Sequence, residues 1–432
     1  MSKEMFIRQL EYDFKVIEKQ LDQSFDKINN LIDQVFIMDS PIYKLSCPKQ
    51  ELYLLKDPQF NLIDQTNFKS NIVQEVKPLI ISKITQQVNL KQQSDQQLQQ
   101  SSLPQSQSIQ CPSQFKPFNY QIIKDNSIYQ NEWCCAMAYN KDCSCVALSC
   151  DKQIKIYEFK QAILKQIHVL YQHQKDVLTL SFMKKSNQFI SGDSGGSILI
   201  WSINKKWYCS QTIQAHIGSI RCLIMNNNED LFITSSYDNT IKFWVKQNDW
   251  IWQQTITDHK LQVNQLSLND KENKVISCGE DKLILVIEYF ESDKKWIVIQ
   301  NITVEDLGCR ICFINNNQFT FQPIIGNLMH VYQMNNISKQ FVKTKDINVN
   351  ESDSDFGELF PQQFLKQKQL LVSKHGNSIN LIRKTEVDQF IVEQSIQFDS
   401  YYIFGQMSDD GEYLITWDSQ SNQIQIRKYA EQ

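Results

Sequence analysis

Residues His216–Trp244 read HIGSIRCLIMNNNEDLFITSSYDNTIKFW, and the pattern of this stretch returns on both sides of it. Equivalent positions recur at a period of 43 residues: His173, His216 and His259; Ser191, Thr234 and Ser277; Trp201 and Trp244. A fixed period between about twenty and fifty residues is typical of repeat architectures, and a value near 43 lies in the range of four-stranded propeller blades. The spacing therefore predicts a β-propeller.

A shorter pattern extends the repeat to seven copies. Each copy has a turn residue, an apolar residue three positions later and, in six of the seven, a large or branched apolar or aromatic residue after three more. The copies are Asp151/Ile154/Tyr157, Gly195/Ile198/Trp201, Asp238/Ile241/Trp244, Asp281/Ile284/Ile287, Gly326/Met329/Tyr332, Gly376/Ile379/Ile382 and Ser421/Ile424/Arg427. Gly, Asp and Ser favour turns, and the residues after them favour strands. With three further strands in each unit, the chain is predicted to form an all-β, seven-bladed propeller.

The pattern as a whole resembles the WD-repeat β-propeller family, over about Phe118–Tyr429. The resemblance implies a structural tetrad in each blade, made of His, Ser or Thr, Asp and Trp. Three repeats carry it wholly or in part: His216, Thr234, Asp238 and Trp244; His173, Ser191 and Trp201, with Gly195 at the Asp position and Asp193 nearby; His259, Ser277 and Asp281, with Ile287 in place of Trp.

The tetrad residues have two chemical interpretations. His, Ser and Asp at regular spacing are the residue types of a hydrolase triad, but a catalytic site occurs once and this group recurs. A buried carboxylate is costly unless it is paired, and imidazole, hydroxyl and indole N–H groups supply partners in series. We therefore interpret the tetrads as structural, and we predict no catalytic, cofactor-binding or metal site and no enzymatic activity.

The order of the strands predicts how the ring closes. If each repeat begins with an outer strand, the chain ends after the third strand of the last blade, near Gln423–Tyr429. The missing outer strand is then expected at Phe118–Lys124. Pairing the two ends would remove the exposed edges of an open sheet.

The residues before the propeller divide into three predicted segments. Apolar residues keep a heptad over residues 7–35, which predicts a coiled-coil helix within residues 1–40. The helix is expected to self-associate or to pair with a partner helix, or alternatively to pack within its own chain. Residues 41–90 are predicted to be helical or irregular, and the Gln/Ser-rich residues 91–114 to form a flexible linker before the propeller at 115–432.

Composition limits the classes of partner. A net charge of −4 and an isoelectric point near 5.9 give no general electrostatic attraction to nucleic acid or to anionic membranes. No apolar core of a signal peptide and no run of about 18 apolar residues is evident, so we expect a cytoplasmic protein that does not span a membrane.

The twelve cysteines raise the question of metal or disulfide chemistry. The single C-x-x-C pair, Cys309 and Cys312, falls on a predicted strand, where residues three apart point to opposite faces. We therefore expect the cysteines to act as small buried hydrophobic residues.

Function is expected in the loops of the propeller. Lys175, Tyr237, Gln262 and Glu280 are predicted to share one rim; Tyr237 is either a contact residue for a partner or a solvated tyrosine. The acidic residues 348–358 are predicted to lengthen one loop, either as a solvated segment or as a contact for a basic partner, with Ser352 and Ser354 open to phosphorylation.

Two functions remain open from the sequence. The first is a protein–protein interaction scaffold that the N-terminal helix oligomerises or docks. The alternative rests on residues 236–259, which are similar to the propeller subunit of the cytosolic iron–sulfur assembly targeting complex. That subunit binds other proteins and has no long N-terminal helix, which sets this chain apart from it.

Overall fold

The structure is a computed structural model that describes residues 116–352 and 359–431. The predicted coiled coil at 7–35, the segment 41–90 and the linker 91–114 lie outside the described residues. None of the helices in the described part of the chain is long and apolar enough to cross a membrane; they are two short 3₁₀ turns, Lys124–Asn126 and Lys366–Lys368.

Two strands precede the repeats, β1 (Phe118–Ile122) and β2 (Ile128–Tyr129), and six four-stranded antiparallel sheets follow. Blade 1 is β3–β6: Met137–Tyr139, Cys145–Cys150, Gln153–Lys160 and Ile163–Leu170. Blade 2 is β7–β10: Val177–Phe182, Gln188–Asp193, Ser197–Asn204 and Lys206–Gln214. Blade 3 is β11–β14: Ile220–Met225, Leu231–Ser236, Ile241–Lys246 and Trp250–Ile256.

The second half of the ring repeats this order. Blade 4 is β15–β18: Val263–Leu268, Lys274–Gly279, Leu283–Phe290 and Lys295–Thr303. Blade 5 is β19–β22: Gly308–Asn315, Gln318–Pro323, Gly326–Met334 and Phe341–Ser352. Blade 6 is β23–β26: Gln363–Leu365, Leu370–His375, Ser378–Lys384 and Phe390–Gln397. Blade 7 contains β27–β29: Ile403–Met407, Tyr413–Asp418 and Gln423–Glu431.

The prediction of a seven-bladed, all-β propeller is therefore confirmed for the described residues. The repeated apolar residues lie on the third strand of their blades and are at most 1% exposed: Ile154, Ile198, Ile241, Ile284, Met329, Ile379 and Ile424. The residues three positions later are buried as well, including Arg427, whose guanidinium donates to Thr416 Oγ1 at 2.8 Å. The period in the sequence thus marks one buried strand in each blade.

Apolar packing between neighbouring blades holds the ring together. Seven clusters of buried residues each join two adjacent sheets, and the cluster with Leu148 and Trp417 joins blade 1 to blade 7. The first strands of blades 1–5 contact one another in sequence, so these strands line the centre of the ring. No blade buries its two faces alone; each depends on both neighbours.

The ring closes as the strand order predicts. β1 is the outer strand of blade 7 and pairs with β29 over five residue pairs, from Phe118 with Glu431 to Ile122 with Arg427. The Tyr120 hydroxyl also donates to the Gly411 carbonyl at 2.6 Å. Strand β2 adds a short pairing to the start of β29.

Two sets of loops lie at opposite ends of the propeller. The first set connects each fourth strand to the next blade and each second strand to the third; it includes the loops of His173, His216 and His259 and is called the histidine-loop face here. The second set connects first to second strands and third to fourth strands, and is called the opposite face. This distinction follows from the alternating direction of antiparallel strands.

The fifth blade differs from its prediction. Residues 348–352 are part of β22 rather than of a loop, because Asn348 pairs with Leu328 and Ser352 with Gly326 across a bulge. The extra length is therefore taken up partly by a twelve-residue strand. Residues 353–358, including Ser354, lie outside the described residues.

The cysteines in the described part of the chain are not joined by disulfide bonds. Cys309 and Cys312 lie on β19, and both are buried. Cys312 packs between blades 5 and 6, whereas Ile311 and Phe313 pack between blades 4 and 5, as alternation along a strand requires. Cys134, Cys150, Cys222 and Cys278 are also buried, and Cys135, Cys143, Cys145 and Cys209 are partly exposed.

Candidate interaction site on the histidine-loop face

The tetrad of blade 3 forms a continuous chain of hydrogen bonds. His216 Nδ1 lies 2.9 Å from Asp238 Oδ2, and His216 Nε2 lies 2.8 Å from Thr234 Oγ1. The Trp244 indole N–H donates to the same hydroxyl oxygen at 3.0 Å. Because a carboxylate only accepts, Nδ1 carries the proton and Nε2 accepts from the hydroxyl. Every member of the chain therefore has a partner.

Burial and hydrogen bonding act on the two ionisable members of this tetrad. Burial lowers the pKa of His216, although Asp238 opposes the shift, and keeps the imidazole neutral near pH 7. Burial alone would raise the pKa of Asp238, but hydrogen bonds from His216 and Thr240 outweigh it and hold that pKa well below its ordinary value. The tetrad thus pairs a neutral histidine with an ionised aspartate.

Blade 2 contains a complete tetrad, which corrects the sequence reading of Gly195. His173 Nδ1 lies 2.8 Å from Asp193 Oδ2, and Ser191 Oγ lies 2.6 Å from His173 Nε2 and accepts from the Trp201 indole at 2.8 Å. Asp193, the last residue of β8, takes the place of the expected aspartate in the turn. Asp193 Oδ1 accepts a hydrogen bond from the backbone N–H of Gly195 at 2.9 Å, so the carboxylate also stabilises the turn between β8 and β9.

Blade 4 keeps three of the four groups. His259 lies 2.8 Å from Ser277 Oγ and 2.9 Å from Asp281 Oδ2, while Ile287 fills the tryptophan position without an N–H to donate. The hydroxyl-bearing residues Ser191, Thr234 and Ser277 are 0% exposed. These hydroxyls are therefore closed to solvent, and each one bonds to groups of its own blade.

The four predicted rim residues all lie on the histidine-loop face. Lys175 is exposed in blade 2, and its side chain lies against Gly195. Gln262 and Glu280 are joined in blade 4, where the Glu280 N–H donates to the Gln262 carbonyl at 2.9 Å. Tyr237 is half-buried in blade 3. The structure therefore distributes these residues over three consecutive blades.

Arg221, which the sequence did not single out, contacts one of these residues. Its guanidinium carbon is 4.5 Å from the centre of the Tyr237 ring. Burial raises the pKa of Tyr237; the Arg221 charge opposes this shift and the Glu280 carboxylate adds to it, which places all three groups within electrostatic reach. Arg221 is the second residue of a first strand, and no spacing rule distinguishes it from a surface arginine.

Exposed apolar residues also lie on this face. Trp133 is 44% exposed and packs edge-to-face on Tyr402, which is 42% exposed, with ring centres 5.4 Å apart. Ile217 is 95% exposed, and Leu261 and Ile325 are about half exposed. These residues, together with Tyr401, are called the apolar rim here.

One member of the apolar rim had a sequence signal. Trp133 precedes β3 by four residues, as His173, His216 and His259 precede the first strands of their blades. It stands where a tetrad histidine would stand, and its backbone N–H reaches the Asp151 carboxylate at 3.2 Å. The other members come from loops that diverge between repeats.

The first strands enclose a central cavity of about 320 Å³. Its polar side chains make bonds between blades: Asn264 donates to the Gly308 carbonyl at 3.2 Å, and Gln265 accepts the Ile311 N–H at 2.9 Å. Among residues 116–352 and 359–431, no group of three or more His, Cys, Asp or Glu side chains is arranged to hold a metal ion. These amides therefore fasten neighbouring blades.

Comparison with known families agrees with this architecture. The family model "WD domain, G-beta repeat" matches residues 164–202 and 207–245. Each match begins in or beside the fourth strand of one blade and ends on the third strand of the next, which is the repeat phase that the closure of the ring requires. A search of curated proteins finds no significant match. The two matched repeats and the seven blades identify this chain as a WD-repeat β-propeller protein.

Proposed function

We propose that this protein is a non-enzymatic scaffold that binds other proteins through the apolar rim of its histidine-loop face. Propellers of this family typically bind other proteins and are generally not catalytic. The observation that carries the proposal is the exposure of Trp133, Tyr402, Ile217, Leu261 and Ile325 on one face. Exposed apolar groups concentrated on one surface are typical of interaction sites, and tryptophan and tyrosine are frequent hot spots.

The polar group at the centre of the face gives the proposal a chemical direction. Tyr237 presents a partly exposed ring against the half-buried Arg221, with Glu280 nearby and Lys175 on the adjacent blade. A ring held by a cation pays little conformational entropy when it meets a partner. We propose that Tyr237 is a central contact and that the apolar rim excludes water around it.

The N-terminal residues are part of the proposal because they carry the predicted coiled coil. We propose that the heptad at residues 7–35 oligomerises the scaffold or docks it on a partner helix, and that the protein acts in the cytoplasm. The iron–sulfur targeting function remains the alternative, supported by the resemblance of residues 236–259.

The test compares two double variants of the full chain. Ile217→Gln/Leu261→Gln changes the apolar rim, and Ile337→Gln/Val387→Gln makes a matched change on the opposite face, where Ile337 is 95% and Val387 74% exposed. Partners are captured from cell extract, identified by quantitative mass spectrometry and then measured with purified protein. We expect the first variant to weaken binding at least about tenfold and the second to leave it unchanged.

Melting temperatures of both variants equal to that of the unaltered chain establish that the fold is intact. Equal partner binding by the two variants would refute the assignment of this face. A captured set dominated by iron–sulfur apoproteins and assembly factors would favour the alternative function over a general scaffold.

A further inference from the structure

A second concave surface lies between blades 1 and 2, toward the opposite face. It encloses about 840 Å³ and is lined by the lower ends of the two sheets. Phe159, Phe182 and Met183 are buried beneath it, while Ile167 and Ile203 on its walls are 46% and 43% exposed. The surface is called the blade 1–2 groove here.

The groove keeps apolar side chains in contact with water. Ile163 and Lys165 flank the buried Leu164 on β6, and a bulge at Ile167, between the pairs Gln166–Tyr157 and His168–Ile156, interrupts the alternation of that outer strand. Ile163 is 54% exposed. Ile167 of β6 and Ile203 of β9 both line the groove and are nearly half exposed, and they form an apolar stripe across it. Such a stripe is typical of a docking surface.

Lysines surround this stripe. Lys141, Lys160, Lys184 and Lys185 line the groove, against two carboxylates, Asp142 and Glu158. Three more lysines flank it: Lys165 on β6, and Lys205 and Lys206 at the turn after Ile203. The whole chain carries a net charge of −4, so this concentration of positive charge is local.

Part of this positive charge is not engaged in ion pairs. Asp142 is occupied by the backbone N–H of Ser144 at 3.1 Å and by its hydroxyl at 2.6 Å. Lys184 pairs with Asp409 at 3.0 Å, but both side chains are about half exposed, and such surface pairs are weak. Among the described residues, no carboxylate forms an ion pair with Lys141 or Lys160.

We propose that the blade 1–2 groove is a second docking site, which binds an acidic segment of a partner protein that carries apolar anchor residues. The isoleucines receive the anchors, and the surrounding lysines pair with the carboxylates. A concave groove with an apolar floor suits a peptide better than the flat surface of a membrane. This site is at the other end of the blades from the apolar rim, so it is independent of the function proposed above.

The test measures fluorescence anisotropy of the full chain with a labelled peptide, (Glu-Leu-Asp-Phe)₃. Lys141→Gln/Lys160→Gln removes two charges from the groove. Lys271→Gln/Lys339→Gln is the matched control, since both lysines are exposed in the same classes of turn on blades 4 and 5. We expect the first variant to bind about fivefold more weakly and the control to bind like the unaltered protein.

Two further probes separate the contributions to binding. Ile167→Ser/Ile203→Ser is expected to weaken binding by at least about fivefold through loss of the anchor contacts. The basic peptide (Lys-Leu-Lys-Phe)₃ is expected not to bind. Raising the salt concentration from 0.05 to 0.5 M is expected to lower the affinity for the acidic peptide.

Three results would overturn the proposal. These are equal affinity of the groove variant and its control, equal binding of the acidic and basic peptides, or binding only to phosphatidylserine vesicles and not to the peptide. The Ile217→Gln/Leu261→Gln variant leaves the groove intact, so loss of one site does not report on the other.

Discussion

The closure strand gives the sharpest prediction about stability. Phe118 is 4% exposed and stacks on Tyr429 with ring centres 5.4 Å apart, and the Arg383 guanidinium carbon lies 4.6 Å from the centre of the Phe118 ring. Replacing a buried phenylalanine by alanine costs about 3–5 kcal/mol, through lost apolar burial and the cavity that remains. We therefore expect Phe118→Ala to lower the melting temperature by roughly 6–10 °C, at about 2 °C per kcal/mol for a domain of this size.

The matched control is Phe290→Ala, the same substitution at a residue that is 38% exposed at the end of β17. It is expected to cost less than about 1 kcal/mol. Deleting residues 115–124 removes the whole strand and leaves residues 427–431 of β29 without their partner, which is expected to lower the melting temperature further and to promote aggregation. Differential scanning calorimetry and light scattering measure both effects. A melt of the deletion variant within 1 °C of the intact chain would refute the closure.

Asp193→Ala is expected to lower the free energy of unfolding by about 3 kcal/mol, because it leaves His173 without its carboxylate partner. The control Asp176→Ala, at an exposed aspartate, is expected to lower it by less than about 0.5 kcal/mol. Chemical denaturation measures both values, and equal values would contradict a tetrad role for Asp193. Stability is expected to fall on acidification, first below about pH 6.5, where unfolded His216 takes up the proton that its folded form resists, and again below about pH 4, where the depressed pKa of Asp238 ceases to favour the folded state. Unfolding free energies measured from pH 8 to 3 test this pH dependence. The variant Asp238→Asn is expected to flatten the profile at its acidic end, and a profile that the substitution leaves unchanged would contradict the contribution assigned to Asp238. Multi-angle light scattering of the chain with and without residues 1–114 is expected to show an oligomer and a monomer, and two monomeric masses would exclude self-association through the heptad.

The tetrads show where reasoning from sequence reaches its limit. His216, Thr234, Asp238 and Trp244 follow the common spacing, and their hydrogen bonds lie where that spacing places them. In blade 2 the same spacing placed Gly195 at the aspartate position. A spacing identifies a position in the turn, but it does not show which side chain reaches the histidine. The carboxylate of Asp193, two residues before Gly195, bonds to the imidazole of His173 instead. Asp193 is the last residue of its strand, so its side chain can lie against the turn that follows and bond to the backbone of that turn.

The candidate binding surfaces were less predictable. Lys175, Tyr237, Gln262 and Glu280 could be placed on one face, because they occupy equivalent loops of successive repeats. Arg221, the members of the apolar rim other than Trp133, and the blade 1–2 groove left no mark in the repeat pattern. Exposure depends on what packs above a residue, and that is a property of neighbouring blades rather than of the local sequence.

The amino-acid sequence by itself determined that the chain forms four-stranded blades, how many blades there are, and which strand closes the ring. These follow from the 43-residue period, from turn residues at fixed offsets and from the order in which the strands appear, all of which are local or periodic features. Only the tertiary structure decided which carboxylate completes the tetrad of blade 2, that residues 348–352 extend a strand, and which exposed side chains share a surface. The physical reason is that such contacts join side chains and strands that are separated in the sequence, within one blade for Asp193 and His173 and for the two strands of residues 326–352. Their geometry exists only once the strands have packed.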